Sequence, residues 1–319
     1  MEMYAEGKAG LPCFYGELTG GEHLFLSVIT PTYNRAYILP QCYKSLVNQT
    51  CRDFEWIVVD DGSSDDTEAV VAGFINEHKI NIRYIKQPNG GKHRAHNTAV
   101  QNATGELCVC VDSDDCLVQD AVAIIREFWK EKRENSIGIF AKRGSIQDQH
   151  PICASWPETL TSCTMFALIN DYNFWGDTAL FFKTDLLKQH LFQQFGDERF
   201  LSEANLYFDL DRCGEMLLLN RVIYLCEYLE DGLTAQYHTL LRRNPMGTAN
   251  TYFKQVKMAR KINDKLRYAM LTNIYYSLCE DKQGARLKGN DIWLLITRIP
   301  ALLTRRYFLD RFEKQEDIL

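Results

Sequence analysis

Four short apolar runs recur between residues 24 and 112, with room for one helix after each: LFLSVIT (24–30), FEWIVVD (54–60), NIRYIK (81–86) and ELCVCVD (106–112). Runs of this length, rich in Val, Ile and Leu, read as strands buried on both faces rather than as helices. The segments between them carry helical patterning. After the first strand, which Pro31 is expected to end, Pro40 fits the first turn of a helix with Tyr43, Leu46 and Val47 on one face. SSDDTEAVVAGFINEH opens with acids and offers Ser63 or Ser64 as N-cap. Gly91 to Ala103 and about Gln119 to Lys132 complete the alternation. Strand and helix alternating at this spacing predict an α/β fold, a Rossmann-like, mostly parallel central sheet with helices on both faces.

Beyond Ile137 the order loosens. IGIFA, TALFF and RVIYLCEYL (221–229) read as strands, and SEANLYFDLDRCG as a short helix closed by Gly214. From about Thr251 the chain reads as helices broken near Gly284 and at Pro300. The expected organisation is an irregular extension over 1–23, a catalytic domain over 24–250 with halves at 24–116 and 117–250, and a helical region over 251–319.

What distinguishes the pattern is where its polar residues fall. Pro31-Thr32-Tyr33-Asn34 follows the first strand, Asp60-Asp61-Gly62-Ser63 the second, Asn89-Gly90-Gly91-Lys92 the third and Asp112-Ser113-Asp114-Asp115 the fourth. Ligands of open parallel sheets bind outside the carboxyl ends of the strands, so these clusters should share one rim. Each also has a plainer reading: DDGSSDD as turn and cap, NGGK as a turn, DSDD as a solvated cap. A calcium loop of the EF-hand type is excluded by its missing Gly and Glu spacing. Three carboxylates at a buried strand end repel one another unless a cation meets them. Mg²⁺ or Mn²⁺ takes one or two carboxylates together with phosphate oxygens, which points to a metal–diphosphate site. Tyr33 can stack on a base, Asp61 can accept from a base edge, and Lys92 suits phosphate.

The stretches SVITPTYNRAYILPQCYKSLVNQT, FEWIVVDDGSSDDT, NGGKHRAHN and VCVDSDD resemble the successive motifs of family 2 glycosyltransferases. The resemblance is specific over 24–115 and extends more weakly to about Tyr252 through GDTALFFKTDLL, ERFLSEANLYFDL and CEYLEDGLTAQY, segments similar to bacterial polysaccharide-type members. It implies a GT-A fold and an inverting, metal-dependent transfer from a nucleotide diphosphate sugar, UDP-linked in preference, to a glycan or lipid-linked acceptor in cell-surface polysaccharide synthesis. By the same resemblance Pro31, Tyr33, Asn34, Arg35, Asp60, Asp61, Lys92, Arg94, Asn97, Asp112 and Ser113 would hold the donor. Asp112, Asp114 and Asp115 would hold Mn²⁺ or Mg²⁺, with His238 as a further metal or diphosphate contact. Glu203 would be the general base; many members have Glu-Asp where this chain has Glu203-Ala204, which leaves Asp209 and Glu198 as fallback acids.

Several features keep two readings. His238 reads first as a partly exposed structural residue, and Asp231 equally as a turn residue or a functional one. Trp175-Gly176-Asp177 can line an acceptor cleft or belong to the core. The segment 285–312 combines apolar residues with Arg298, Arg305, Arg306 and Arg311, and reads either as an interfacial membrane contact or as a hairpin packed on the domain.

Other classes are disfavoured. No GxGxxG follows the first strand, which speaks against a nicotinamide enzyme. A nucleotidyltransferase would carry a Gly-rich basic loop where this chain has TPTYNRA, and a silent nucleotide-sugar binder need not keep Asp112, Asp114 and Glu203. A net charge of −6 argues against a nucleic-acid partner. The 11 cysteines show no zinc spacing, and with no signal-like start or membrane span they predict a reducing, cytoplasmic setting, peripheral to the inner face of the membrane if 285–312 binds it.

Overall fold

The computed structural model describes residues 13–15, 24–227, 236–279 and 291–316, with backbone alone for 13–15 and 310–316. Most of the N-terminal extension, Asp231, the expected break near Gly284 and the 285–290 part of the basic segment lie outside the described residues. The chain divides into two compact units, one comprising Met1–Leu191 and Leu210–Glu227, the other Phe192–Asp209 and Tyr228–Leu319.

The first unit is built on a ten-stranded sheet with strand order β1-β4-β3-β2-β5-β9-β7-β10-β6, and β8 paired to β10. The strands are β1 (Cys13–Tyr15), β2 (Leu26–Thr32), β3 (Phe54–Asp60), β4 (Ile82–Lys86), β5 (Leu107–Cys110), β6 (Cys116–Leu117), β7 (Ser136–Ser145), β8 (Ser162–Cys163), β9 (Thr178–Lys183) and β10 (Glu215–Cys226). The first four strands read from the sequence, β2 to β5, run parallel in the order β4-β3-β2-β5, and the later runs IGIFA, TALFF and, through Cys226, RVIYLCEYL fall in β7, β9 and β10. β9 then enters antiparallel between β5 and β7. Helices α1 (Leu39–Val47), α2 (Thr67–Asn76), α3 (Lys92–Asn102) and α4 (Ala121–Phe128) follow β2, β3, β4 and β6, with α5 (Met165–Asn170) and α6 (Thr184–Gln189) around β9.

Both faces of the central strands are covered, which is why their sequences are apolar without alternation: every residue of β2 and of β3 is buried. Leu26, Val28, Trp56 and Val58 share a core with Leu39, Leu46 and Val71 of the helices. The Tyr43 and Phe74 rings stack there at 4.0 Å. At the amino end of the sheet, buried Glu55 accepts from Ser27 Oγ, Thr104 N and Thr104 Oγ1, each at 2.7 Å, so that edge is closed by its own polar groups.

Three local expectations are corrected. Pro31 does not end the first strand: β2 continues to Thr32, in register with Asp60. Ile29 and Pro31 turn their backbone groups toward β5, whose pairing with β2 ends at Cys110, so the amide that proline lacks costs no ladder bond. Neither Ser63 nor Ser64 caps α2; the helix begins at Thr67, and Asp65 accepts from Thr67 N at 3.1 Å and Thr67 Oγ1 at 2.6 Å. The fourth strand is shorter than read, since β5 ends at Cys110 and frees Asp112 to Asp115 as a turn, closed by Asp115 N donating to Asp112 O at 3.1 Å.

The second unit holds α7 (Ala204–Leu210, through Asp209), α8 (Tyr237–Arg243), α9 (Pro245–Met258), α10 (Ile262–Tyr276) and α11 (Ile292–Glu316). Helices therefore begin at Tyr237, before residue 251. Pro300 does not break α11. It lies on the exposed side of the helix, where the carbonyl that loses its amide partner can turn to solvent.

Candidate active site

The carboxyl ends of β2, β3 and β5 meet the turn after β4, and short contacts tie the four together. Asn34, held in the left-handed region at φ 52°, donates its amide to Ser63 Oγ at 2.9 Å and accepts from Ser64 N at 2.8 Å. This latches the β2 loop to the β3 loop. The latch leaves the Tyr33 ring half-exposed at the rim. Arg35 beside it donates to Tyr37 Oη at 2.8 Å, and Pro31 is buried in β2.

Asp60 and Asp61 are buried and fully engaged within the protein. Asp60 accepts from Ser63 N at 2.7 Å and from Tyr84 Oη at 2.6 Å. Asp61 accepts from Gln87 Nε2 at 2.7 Å, Gly90 N at 3.0 Å and Gly91 N at 2.7 Å. A carboxylate gripping two consecutive amides fixes the path of the turn that opens α3. Gly62 makes the approach possible: it sits at φ 81°, and a Cβ there would lie 2.8 Å from Asn89 N.

That turn delivers Lys92, the first residue of α3, to the end of β5, where Nζ pairs with Asp112 Oδ1 at 2.7 Å. Arg94 is half-buried and Asn97 buried on the same helix; Ser113 is buried in the β5 turn. The three acids of this turn are treated differently. Asp115 points inward and accepts from Tyr224 Oη at 2.6 Å, while the same hydroxyl accepts from Asp112 N at 3.0 Å. Burial first, then the Asp112 charge, pushes the Asp115 carboxyl well above the usual range, with Arg143 opposing. Burial and Asp112 also raise Asp114. The Arg143 guanidinium lies 4.2 Å over the Tyr224 ring and anchors this arrangement from below.

The expected three-aspartate metal set is therefore not gathered: among the described residues no group of three His, Cys, Asp or Glu is placed to hold an ion. Asp115 is spent on Tyr224. Asp112 and Asp114 remain, of which one is paired to Lys92 and the other is raised by burial and then by its neighbour's charge. Two such carboxylates fit an ion that takes its remaining ligands from a diphosphate and water, rather than a closed protein site.

In the second unit, Glu203 lies at the start of α7, its carbonyl accepting from Leu206 N and Tyr207 N, and its Oε2 receiving the Tyr207 hydroxyl at 3.4 Å. The fallback acids have structural partners. Glu198 accepts from Met246 N at 2.7 Å and Gly247 N at 2.8 Å at the head of α9, and Asp209 pairs with Lys254 Nζ at 2.6 Å. His238 is half-buried beside Tyr237, with ring centroids 5.9 Å apart. In the first unit Trp175 is 68% exposed, so it is not a core residue.

Sequence reasoning missed Tyr224, Arg143 and Gln87, all in direct contact with rim residues or their supports. Tyr224 lies in an apolar strand 109 residues from Asp115, and nothing in its local pattern separates it from a core aromatic.

A large, mostly parallel central sheet with helices around it and polar strand ends gathered on one rim is an α/β architecture of the GT-A kind. The family model described as "Glycosyl transferase family 2" matches residues 27–186, half of the chain, and the chain belongs to that family. It is 31% identical over 192 residues to the GalNAc(5)-diNAcBac-PP-undecaprenol beta-1,3-glucosyltransferase of Campylobacter jejuni, covering 58% of this chain and 59% of that one. It is 28% identical over 204 residues to a chondroitin synthase of Pasteurella multocida, covering 62% and 20%. The chain thus spans less than two thirds of the length of these relatives. Among solved structures, TarS of S. aureus superposes with a TM-score of 0.54 at 18% identity, over 81% of this chain and 50% of that one. A mannosyltransferase of Pyrobaculum calidifontis does so with a TM-score of 0.51 at 16% identity, over 93% and 85%. At such identities these two likenesses establish the fold.

Proposed function

We propose that the chain transfers a sugar from a nucleotide diphosphate sugar, UDP-linked in preference, to a hydroxyl of a glycan or lipid-linked acceptor, with inversion at the anomeric carbon and in the service of cell-surface glycan synthesis. The observation that carries this reading is the Lys92–Asp112 pair at 2.7 Å, which sets a cation donor and the β5 carboxylates at one point of the rim. Supporting it, TarS 1–349 has been solved with UDP-GlcNAc, and the Campylobacter relative is named for an acceptor on undecaprenyl diphosphate.

On this reading the exposed Tyr33 ring stacks on the base. Asp61 acts mainly through the turn it grips, placing the start of α3 and Lys92 against the diphosphate. Asp112 and Asp114 would hold a divalent ion, Mn²⁺ or Mg²⁺, which when bound neutralises charge on the departing diphosphate. The Pyrobaculum mannosyltransferase was solved with GDP-Man and Mn²⁺. Glu203 takes the acceptor proton as the hydroxyl oxygen forms its bond to the anomeric carbon and the diphosphate leaves with the bonding pair.

The test is Glu203→Gln. UDP-GlcNAc and UDP-glucose binding, followed by thermal shift with Mn²⁺, should stay within about twofold of wild type, while transfer, followed as UDP release, falls by about 10³. A fully active variant removes Glu203 from the reaction, and a wild-type protein that no UDP- or GDP-sugar stabilises removes the donor assignment.

A further inference from the structure

Over residues 292–309, α11 is packed on one side only. Thr297, Ala301 and Leu309 are buried, Ala301 and Leu309 clustering with Ile274 of α10. Asn273 of α10 donates to the Leu294 carbonyl at 2.8 Å and to Thr297 Oγ1 at 3.0 Å. The opposite side is a stripe at helical spacing: Ile292 (64% exposed), Leu295, Ile296, Ile299 (69%), Leu303 (79%) and Tyr307 (70%). Isolated exposed apolar residues are ordinary, but a continuous stripe along four turns marks a contact surface.

The charge beside the stripe says what the contact is. Over its whole length α11 carries Arg298, Arg305, Arg306, Arg311 and Lys314 against Asp310, Glu313 and Glu316, a net surplus of two cations in a chain whose net charge is −6, and all three acids lie beyond residue 309. Arg305 and Arg306, with Arg242 of α8, Leu302 and Leu309, line a cavity of about 360 Å³. Arg305 Nη1 is steadied by donation to Ser277 Oγ at 3.3 Å. Three guanidinium groups and two leucines make a pocket for an anion joined to an apolar tail, and guanidinium forks suit phosphate oxygens. A second copy docking face to face along the described residues 292–309 would set these arginines against their own equivalents. No described helix is long and apolar enough to cross a membrane.

We propose that α11 lies flat on a bilayer containing anionic phospholipid, its stripe among the acyl chains and the arginine-lined cavity on a lipid phosphate. The test is flotation of the full chain with phosphatidylcholine vesicles and with phosphatidylcholine–phosphatidylglycerol vesicles, at about 0.1 M salt. Wild type should float with the anionic vesicles and be released as salt rises. Leu303→Glu should lower the bound fraction about tenfold, and Arg306→Ser about fivefold on the anionic vesicles alone. Both positions are exposed, so both variants should keep the wild-type circular dichroism spectrum and Tm. Equal flotation with neutral and anionic vesicles overturns the proposal, as does Leu303→Glu floating like wild type. A dimer in sedimentation equilibrium that Leu303→Glu dissociates overturns it in favour of a second copy. No donor or acceptor enters the assay, so its outcome is separate from that of the transfer reaction.

Discussion

Two acidic strand ends lie one strand apart on the same rim: Asp60–Asp61 after β3, and Asp112, Asp114 and Asp115 after β5. In the first, every carboxylate oxygen accepts from a donor of the protein itself, namely Ser63, Tyr84, Gln87, Gly90 or Gly91. In the second, only Asp115 is turned inward, and Asp112 and Asp114 repel each other with Lys92 as the cation in contact. Residue type at a strand end therefore does not tell function from architecture; the source of the neutralising donors does. The β3 acids build the rim; on the reading proposed above, the β5 acids would meet an ion brought to it.

Substitutions can break this contrast. The largest effect should come from Asp112→Asn: transfer falls by about 10²–10³ while Tm stays within about 2 °C, checked by UDP release and thermal melts. Asp61→Ala should differ by losing stability as well as transfer, because the turn that places Lys92 loses its anchor. It strands the Gly90 and Gly91 amides and the Gln87 amide, and should cost about 2–4 kcal/mol of stability in urea unfolding. If the two variants lose stability equally, the contrast fails. Tyr224→Phe removes one hydroxyl that serves both Asp115 and the Asp112 amide, and should cost about 1–2 kcal/mol in the same measurement.

The smallest effect is a slope. Burial raises the Asp115 carboxyl in the folded protein above its unfolded value, so the fold favours its neutral form. Its contribution is fully present below the unfolded value of about 3.9 and is lost as pH rises through the raised folded value. Asp115→Asn should then lose less Tm than wild type between about pH 4 and about pH 9. An unchanged slope would mean Asp115 is ionised in the native protein at all these pH values.

Much of the rim was legible because it is local. The strand cores at 54–60 and 82–86 declare themselves through unbroken apolar runs, and the polar clusters follow them directly. What stayed hidden depends on distant partners. Nothing local to Asp60 shows that its second oxygen accepts from Tyr84, 24 residues away. Asp115 looked like a metal ligand until β10 brought Tyr224 to it. Ser63 was read as a helix cap, yet its hydroxyl serves Asn34 across the neighbouring loop. Pro300 looked like a helix breaker because its sequence neighbours do not say which side of the helix is exposed.

The central claim, that the β5 acids work with an ion on a nucleotide diphosphate, is tested most directly by calorimetric titration of UDP. Wild type should bind at least about tenfold more tightly with Mn²⁺ than with a chelator, and Asp112→Asn should abolish that difference while keeping the wild-type Tm. UDP binding that ignores Mn²⁺, or a Mn²⁺ effect that survives Asp112→Asn, would contradict the account.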